Sequence, residues 1–256
     1  MVSIAVVGSG NLAWHLIKML QAAHIPVDWH VYRSEKNASF FQFEHIKAST
    51  SNPEVLTNAG LSHIFLATSD SAFKTLTTEI QNPNALWVHL SGGSSIQALK
   101  CPRRAVFYIP QTFTLGRPLT YTNLPVFIEA ESPADFQTLW DIAQKLQLKP
   151  SALNSEARKH LHIAAVITNN FVNYLFREAE TWLENHQIEP ESLYPLIRET
   201  AEKAIELGPK NAQTGPANRG DLGTVKRHIK AIKVARLRKV YRLFSTHIFQ
   251  LRERKL

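Results

Sequence analysis

The chain has 256 residues, which is enough for one or two hydrophobic cores, and its composition is typical of a globular protein. Its single cysteine, Cys101, excludes an internal disulfide and has no metal ligand at useful spacing, so we expect no metal site. Neither a basic leader nor an apolar run long enough to cross a membrane is found, which predicts a cytoplasmic protein without a membrane partner.

The net charge of +8 is concentrated at the end of the chain. Residues 224–256 contain eleven Lys/Arg and one Glu, which leaves 18 of 29 basic and 20 of 21 acidic residues for positions 1–223. Apolar residues recur at near-helical spacing from Val225 to Leu251, which predicts an amphipathic helix with a cationic face. That face is either solvated or binds nucleic acid or another acidic partner. The aromatic residues of the segment, Tyr241, Phe244 and Phe249, are expected mostly on the core face, so nucleic acid is not the expected partner.

The chain opens with a strand, a glycine-rich turn and a helix. "IAVVGSGNLAWHLIKML" places G-x-G-x-x-A directly between apolar Ile4–Val7 and an amphipathic segment. Gly8 allows a tight turn, Gly10 lets the backbone approach a pyrophosphate, and Ala13 allows close packing. The helix N-terminus adds unpaired N–H groups and a positive dipole end. The pattern predicts a dinucleotide-binding loop composed of Gly8, Ser9, Gly10, Asn11, Leu12 and Ala13.

The next strand, "VDWHVYRS", ends about twenty residues after the G-x-G-x-x-A motif, which we call the fingerprint. NAD-preferring proteins carry an acidic residue at that point. Arg33 and Ser34 stand there instead. A guanidinium and a hydroxyl suit the extra phosphate of NADP, whereas an acid would repel it. We therefore predict that NADP is the cofactor and that NAD is bound less well.

Four more apolar runs follow: His63–Asp70, Ala85–Gly93, Ala105–Phe113 and Pro125–Ala130. Helical patterns separate several of them, which predicts a doubly wound, mostly parallel sheet. Ligands of such sheets bind beyond the carboxyl ends of the strands. That edge contains the predicted cofactor contacts Thr68, Ser69, Asp70, Ser91 and Gly92, and the predicted substrate contacts Gln111 and Thr112.

After residue 150 the pattern changes to helices, so we predict a Rossmann domain over residues 1–150 and a smaller all-α domain over 151–256. A helix of about seven turns begins with Ser155 as its N-cap. His162 and Asn170 share a polar stripe on this otherwise apolar helix, and polar groups on a buried stripe need a partner, either the loop backbone or a ligand. A second helix, "PESLYPLIRETAEKAIELG", ends at Gly208.

The stretch "NAQTGPANRGD" then interrupts the helical half. Gly215, Pro216 and Gly220 disfavour regular helix, so we predict an irregular polar loop. It contains Thr214, Arg219 and Asp221 and precedes His228.

Several of these segments together resemble a known family. The matching stretches are "GSGNLA", "HLSGG", "PQTF", "HIAAVITNNF" and "TGPANRGD" with His228. The chain resembles Rossmann-like oxidoreductases with a C-terminal helical domain, related to pyrroline-5-carboxylate reductase, 6-phosphogluconate dehydrogenase and deazaflavin-dependent NADP reductases. The resemblance implies an NAD(P)-binding oxidoreductase whose helical domain forms a homodimer, and it leaves a deazaflavin open as second substrate.

One departure from that wider group affects the expected chemistry. Its hydroxyacid dehydrogenases carry a catalytic lysine four residues before an asparagine on the corresponding helix, where this chain has Ala165 and Val166. We therefore assign the proton to His162, or alternatively to His228, since histidine exchanges protons near neutral pH. Asn170 is assigned to substrate orientation, and "TGPANRGD" is predicted to close the substrate side of the cleft. Arg219 would bind a carboxylate or phosphate there, oriented by Asp221, with Thr214 beside it.

The sequence thus favours an NADP-dependent oxidoreductase acting on a small anionic carbonyl, hydroxyl or imine compound. Two alternatives remain open: a non-catalytic NADP sensor, which the missing lysine permits, and a nucleic-acid binder acting through the basic segment.

Overall fold

The first half of the chain forms one sheet. The computed structural model describes residues 2–253, and within them the strands follow the order β3-β2-β1-β4-β5-β6-β7-β8. The strands are β1 Ile4–Val7, β2 Val27–Val31, β3 Ile46–Thr50, β4 His63–Leu66, β5 Leu86–His89, β6 Arg104–Tyr108, β7 Pro125–Ala130 and β8 Lys149–Ala152. Neighbouring strands are parallel except β6 and β7, which pair antiparallel. The predicted mostly parallel Rossmann sheet is confirmed.

Two strands were not predicted, and several predicted runs were too long. β3 and β8 form the two edges of the sheet and carry mixed polar sequences, IKAST and KPSA. β2, β4, β5 and β6 each end several residues before the predicted run does. The residues beyond them turn away from the sheet and form the loops of its carboxyl edge.

Helices cover both faces of the sheet. The helices of this half are α1 Asn11–Ala22, α2 Ala72–Glu79, α3 Pro133–Lys145 and α4 Ser155–Ala165, with 3-10 turns at Glu35–Phe41, Pro53–Thr57 and Ile96–Ala98. Alternate strand residues point to opposite faces. Ile4 and Val6 pack with α1 and α3 in one apolar cluster, and Ala5 and Val7 pack with Phe73 of α2 in another.

The chain divides into two compact units, residues 1–170 and 171–256, so α4 belongs with the sheet. The N-cap of α4 is Asn154 rather than Ser155, because the Asn154 side chain accepts a hydrogen bond from the Ala157 amide at 2.9 Å. A π-helical segment, Val166–Phe171, interrupts the predicted long helix. The expected polar stripe is not buried either: Asn170 is exposed, while His162 is half-buried.

The second unit is helical. It contains α5 Val172–Glu184, α6 Tyr194–Leu207, α7 Pro209–Ala212, α8 Pro216–Arg219, α9 Leu222–Ala231 and α10 Ala235–Glu253, with a 3-10 turn at Pro190–Leu193. The prediction of one basic helix is wrong, because Ile232 takes an extended conformation, with φ −71° and ψ 106°, and separates α9 from α10. Arg236 of α10 pairs with Glu178 of α5 at 3.0 Å.

The polar stretch after α6 is less irregular than predicted. It contains the one-turn helices α7 and α8, and Gly208, Gly215 and Gly220 all have positive φ. Gly220 ends α8 in the left-handed conformation, and a Cβ there would lie 2.6 Å from Nη1 of Arg252. These glycines therefore form helix caps rather than an open loop. Among the described residues, no helix is both long and apolar enough to cross a membrane.

Candidate dinucleotide site and its histidine

The turn after β1 has the backbone that a pyrophosphate requires. Gly8 has φ +132°, and a Cβ at that position would collide with the carbonyl oxygen of Ala67. Gly10 is different: a Cβ there would meet nothing within 4 Å in the described chain, so packing does not explain this glycine. Its lack of a side chain leaves room for a group from outside the chain.

The start of α1 is equally suited to an anion. Gly10 is its N-cap and supplies no side-chain hydrogen bond, and the first turn contains no acidic residue. Its N–H groups and dipole are therefore available to phosphate oxygens. Ala13 is fully buried against the sheet, and Leu12 packs at the edge of the same apolar cluster. The residues thus fit the phosphates of a dinucleotide.

Two residues of the fingerprint also hold neighbouring loops. The Asn11 side chain donates to the carbonyl of Phe113 at 2.8 Å and accepts from the Leu115 amide at 3.2 Å. The carbonyl of Ser9 accepts from the Asn37 side chain at 2.7 Å. These contacts keep the loops after β6 and β2 beside the glycine turn.

Arg33 and Ser34 lie in the short connection after β2, where both are exposed. The Ser34 hydroxyl accepts from the Lys36 amide at 3.3 Å and caps the 3-10 turn that follows. Ser9 Oγ lies 3.5 Å from the Ser34 carbonyl, so this connection runs next to the glycine turn. Arg33 is thus located where a cofactor ribose would be expected.

The loops after β4 and β5 are tied to each other. The Asp70 carboxylate accepts from Ser91 Oγ at 2.7 Å and from Ser94 Oγ at 2.5 Å. Ser91 Oγ in turn accepts from the Gly93 amide at 3.2 Å. Asp70 and Ser91, both predicted to contact the cofactor, therefore already serve to shape this edge of the sheet.

The remaining edge residues lie in exposed or half-exposed positions. Thr68 is half-buried, and Ser69 is exposed with its hydroxyl 3.0 Å from that of Ser71. Gln111 and Thr112 are exposed in the loop after β6, where the Gln111 side chain accepts from the Thr112 amide at 2.8 Å.

His162 reaches this edge from α4. Its Nδ1 lies 3.2 Å from the Tyr108 hydroxyl, and the two rings meet edge to face with centroids 5.9 Å apart. Tyr108 is the last residue of β6, and burial raises the pKa of its phenol. Gly92 lies directly beneath the pair. Sequence reasoning missed Tyr108 because it ends an apolar strand and resembles a core residue.

Asn170, the last residue of the first unit, is exposed in the π-helical segment, and the remaining proposed site residues belong to the second unit. Asp221 is the N-cap of α9, accepting from the Thr224 amide at 2.9 Å, and this hydrogen bonding with Thr224 lowers the pKa of the carboxyl group. His228 Nδ1 lies 2.7 Å from the Tyr241 hydroxyl. Arg219 ends α8, and Thr214 is exposed. Asp221 thus has a local structural role, in capping a helix, that the sequence interpretation did not include.

The basic end of the chain forms a cationic groove of about 560 Å³ between α9 and α10. Its lining contains Lys226, Ile229, Lys230, Ala235, Arg238, Lys239 and Arg242. Within residues 2–253, no group of three or more His, Cys, Asp or Glu side chains could hold a metal ion.

Comparisons with known proteins bear on the fold and the family of the chain. A family model described as a domain of unknown function, DUF2520, matches residues 124–248. A solved structure of a proposed NADP oxidoreductase from Bacteroides fragilis is 33% identical, with a TM-score of 0.89, covering 97% of this chain and 98% of that protein. No curated protein matches the chain in sequence.

Two more distant structures share the fold over nearly their whole length. A Thermotoga maritima protein is 21% identical, with a TM-score of 0.73 and coverage of 98% of this chain and 99% of that one. A pyrroline carboxylate reductase of Plasmodium falciparum, solved with NADP bound, is 11% identical, with a TM-score of 0.60 and coverage of 97% and 98%.

Proposed function

This chain belongs to the same family as the Bacteroides fragilis protein, that of Rossmann-fold NAD(P)-binding oxidoreductases with a helical C-terminal domain, and we propose that it is an NADP-dependent oxidoreductase. The observation that carries this proposal is the turn at Gly8 and Gly10. Gly10 leaves open space at an uncapped helix N-terminus, which neither packing nor capping explains.

The proposed substrate is a small anionic carbonyl or imine compound, or the corresponding hydroxyl compound in the reverse direction. The nicotinamide would supply or accept the hydride. A proton must then be added to the substrate's oxygen or nitrogen, and we assign this step to His162, which lies at the carboxyl edge of β5 and β6. The assignment of Arg219 to the substrate's anionic group stays a prediction.

We propose NADP rather than NAD because Arg33 and Ser34 follow β2. A charge-assisted contact with the extra phosphate is worth about 1.5–3 kcal/mol, so Arg33→Asp should weaken NADPH binding about ten- to a hundred-fold and leave NADH unaffected. Isothermal titration calorimetry with both cofactors measures this. Lys100→Asp is the matched control, because Lys100 is exposed and precedes β6, at the amino end of a strand, whereas Arg33 follows the carboxyl end of β2.

Equal affinities of the unmutated protein for NADPH and NADH would contradict the preference. The sensor alternative rests on Ala165 and Val166, which stand where the related hydroxyacid dehydrogenases carry a catalytic lysine. A panel of small carbonyl and imine acids, followed through NADPH absorbance, separates the two functions: NADPH binding without turnover of any panel member favours the sensor.

A further inference from the structure

The His162 ring is held by α4, and α4 is anchored to the sheet by a buried arginine. Arg158 is 0% exposed; its guanidinium pairs with Glu129 of β7 and donates to the Ser94 carbonyl at 2.6 Å. One turn later, Leu161 packs against the cluster that contains Tyr108. The backbone of His162 is therefore fixed relative to the loop after β5 and the end of β6.

Gly92 provides the space in which the Tyr108 and His162 side chains meet. A Cβ at Gly92 would lie 2.5 Å from Nδ1 of His162 and 2.6 Å from the Tyr108 ring. At Gly93 the nearest atom to such a Cβ would be Cδ2 of His162 at 3.5 Å, with Nε2 at 3.8 Å. The Nδ1 atom of the ring therefore faces Tyr108 and lies over Gly92. The opposite side of the ring, with Cδ2 and Nε2, faces Gly93, which is exposed.

We propose that Tyr108 is the positioning residue of this site, because its hydroxyl engages Nδ1 of His162 and leaves Nε2 as the nitrogen that exchanges a proton with the substrate. A hydroxyl can both donate and accept a hydrogen bond. Its oxygen accepts from Nδ1–H while the ring is charged, and its O–H can donate to Nδ1 when that nitrogen carries no proton. The hydrogen bond at one imidazole nitrogen determines the role of the other.

The proton balance of the step needs no further group. The charged ring releases its Nε2 proton to the substrate's oxygen or nitrogen as the carbon is reduced, and the neutral ring keeps Nδ1–H on the Tyr108 oxygen. In the reverse direction Nε2 takes the proton back. This inference rests on the proposed function, but the position of the ring can be measured without a substrate.

The first experiment is NMR spectroscopy of the full, unliganded chain. In the unmutated protein we expect a nuclear Overhauser effect between Hδ2 of His162 and an α-proton of Gly93. Tyr108→Phe keeps the aromatic ring but releases Nδ1, so the imidazole rotates and this signal is lost. Tyr121→Phe is the matched control: it removes a similar hydroxyl 2.7 Å from Nδ1 of His15 in the same unit and should leave the His162 signal unchanged.

The second experiment is a double-mutant cycle with NADPH and the substrate that the carbonyl and imine panel identifies. Tyr108→Phe should lower kcat about 10- to 100-fold with KM unchanged, as removal of a group that orients a functional histidine does elsewhere. In a His162→Gln background the same change should have no further effect, because Tyr108 acts through that histidine.

The two experiments fail in different ways. A full-strength Hδ2 signal in Tyr108→Phe overturns the positioning role whether or not the protein turns over, and additive losses in the cycle also overturn it. Loss of the signal in a protein that reduces no panel member supports the positioning of the ring and counts against the proposed function.

Discussion

The first unit should lose stability in mild acid because three histidines are buried in its sheet, His30, His63 and His89, and two of them have an unpaired ring nitrogen. His63 and His89 are 4% and 0% exposed, and the Nε2 atom of each has no hydrogen-bond partner among the described residues. Burial is the main reason that the pKa of each falls from 6.5 to about 4. In the unfolded chain both imidazoles would take up protons at a higher pH.

The sign of the effect follows from these values. A group whose pKa is lowered by folding contributes stability that is complete above its unfolded value and disappears as the pH falls to the folded value. Here that range lies between 6.5 and about 4. Each difference corresponds to about 3 kcal/mol, or about 6 kcal/mol for both, which is a large part of the roughly 5–15 kcal/mol of a typical domain.

Urea unfolding followed by tryptophan fluorescence measures this from about pH 7 to about pH 4. His63→Phe should remove a large part of the pH dependence, since phenylalanine fills a similar space and cannot be protonated. His160→Gln is the control, because the His160 side chain is 73% exposed. A free energy of unfolding that is constant across this range, or a His63→Phe variant with undiminished pH dependence, would refute the reasoning.

Three further outcomes are expected. Light scattering at micromolar concentration should give a homodimer, which a charge at Ile205 on α6, 85% exposed, should weaken; a monomeric unmutated protein would contradict this. Asp221→Ala should lower the midpoint of urea unfolding because α9 loses its N-cap, whereas Asp221→Asn, which can still accept from the Thr224 amide, should keep most of the wild-type stability. With a substrate in hand, His162→Gln should reduce turnover about 10²- to 10⁴-fold and His228→Gln should not; the reverse result would assign the proton to the second unit.

The parts of the fold that could be predicted are those in which one periodicity dominates. β1 and β7 lie where their apolar runs predicted them, and the glycine turn joins β1 to α1 as expected. The edge strands β3 and β8 were missed because only one neighbouring strand pairs with each, and their polar residues resemble loop sequence. The break at Ile232 was missed because its apolar side chain matches the helical spacing on both sides although its backbone is extended.

The candidate site was only partly predictable, because sequence identifies polar residues but not the partners they have. Asp70 and Ser91 were correctly placed at the carboxyl edge of the sheet, yet their side chains bond to each other across two loops. Asp221 was interpreted as a partner of Arg219, and its main contact is the start of its own helix. In both cases the side chain's hydrogen-bond partner is set by the conformation of the folded backbone, which the residue types alone do not reveal.

If His162 donates the proton as we propose, its ring must be held in place by the residues around it. Arg158 and Leu161 fix α4 against the sheet. His162, the next residue, is therefore held at the carboxyl end of β5 with a defined orientation. Gly92 leaves the room that the ring needs, and Tyr108 engages one of its two nitrogens. The imidazole is thereby held where the substrate is proposed to bind. The proposed proton transfer then depends on which imidazole nitrogen faces the substrate, and we assign that choice to one tyrosine at the end of an apolar strand.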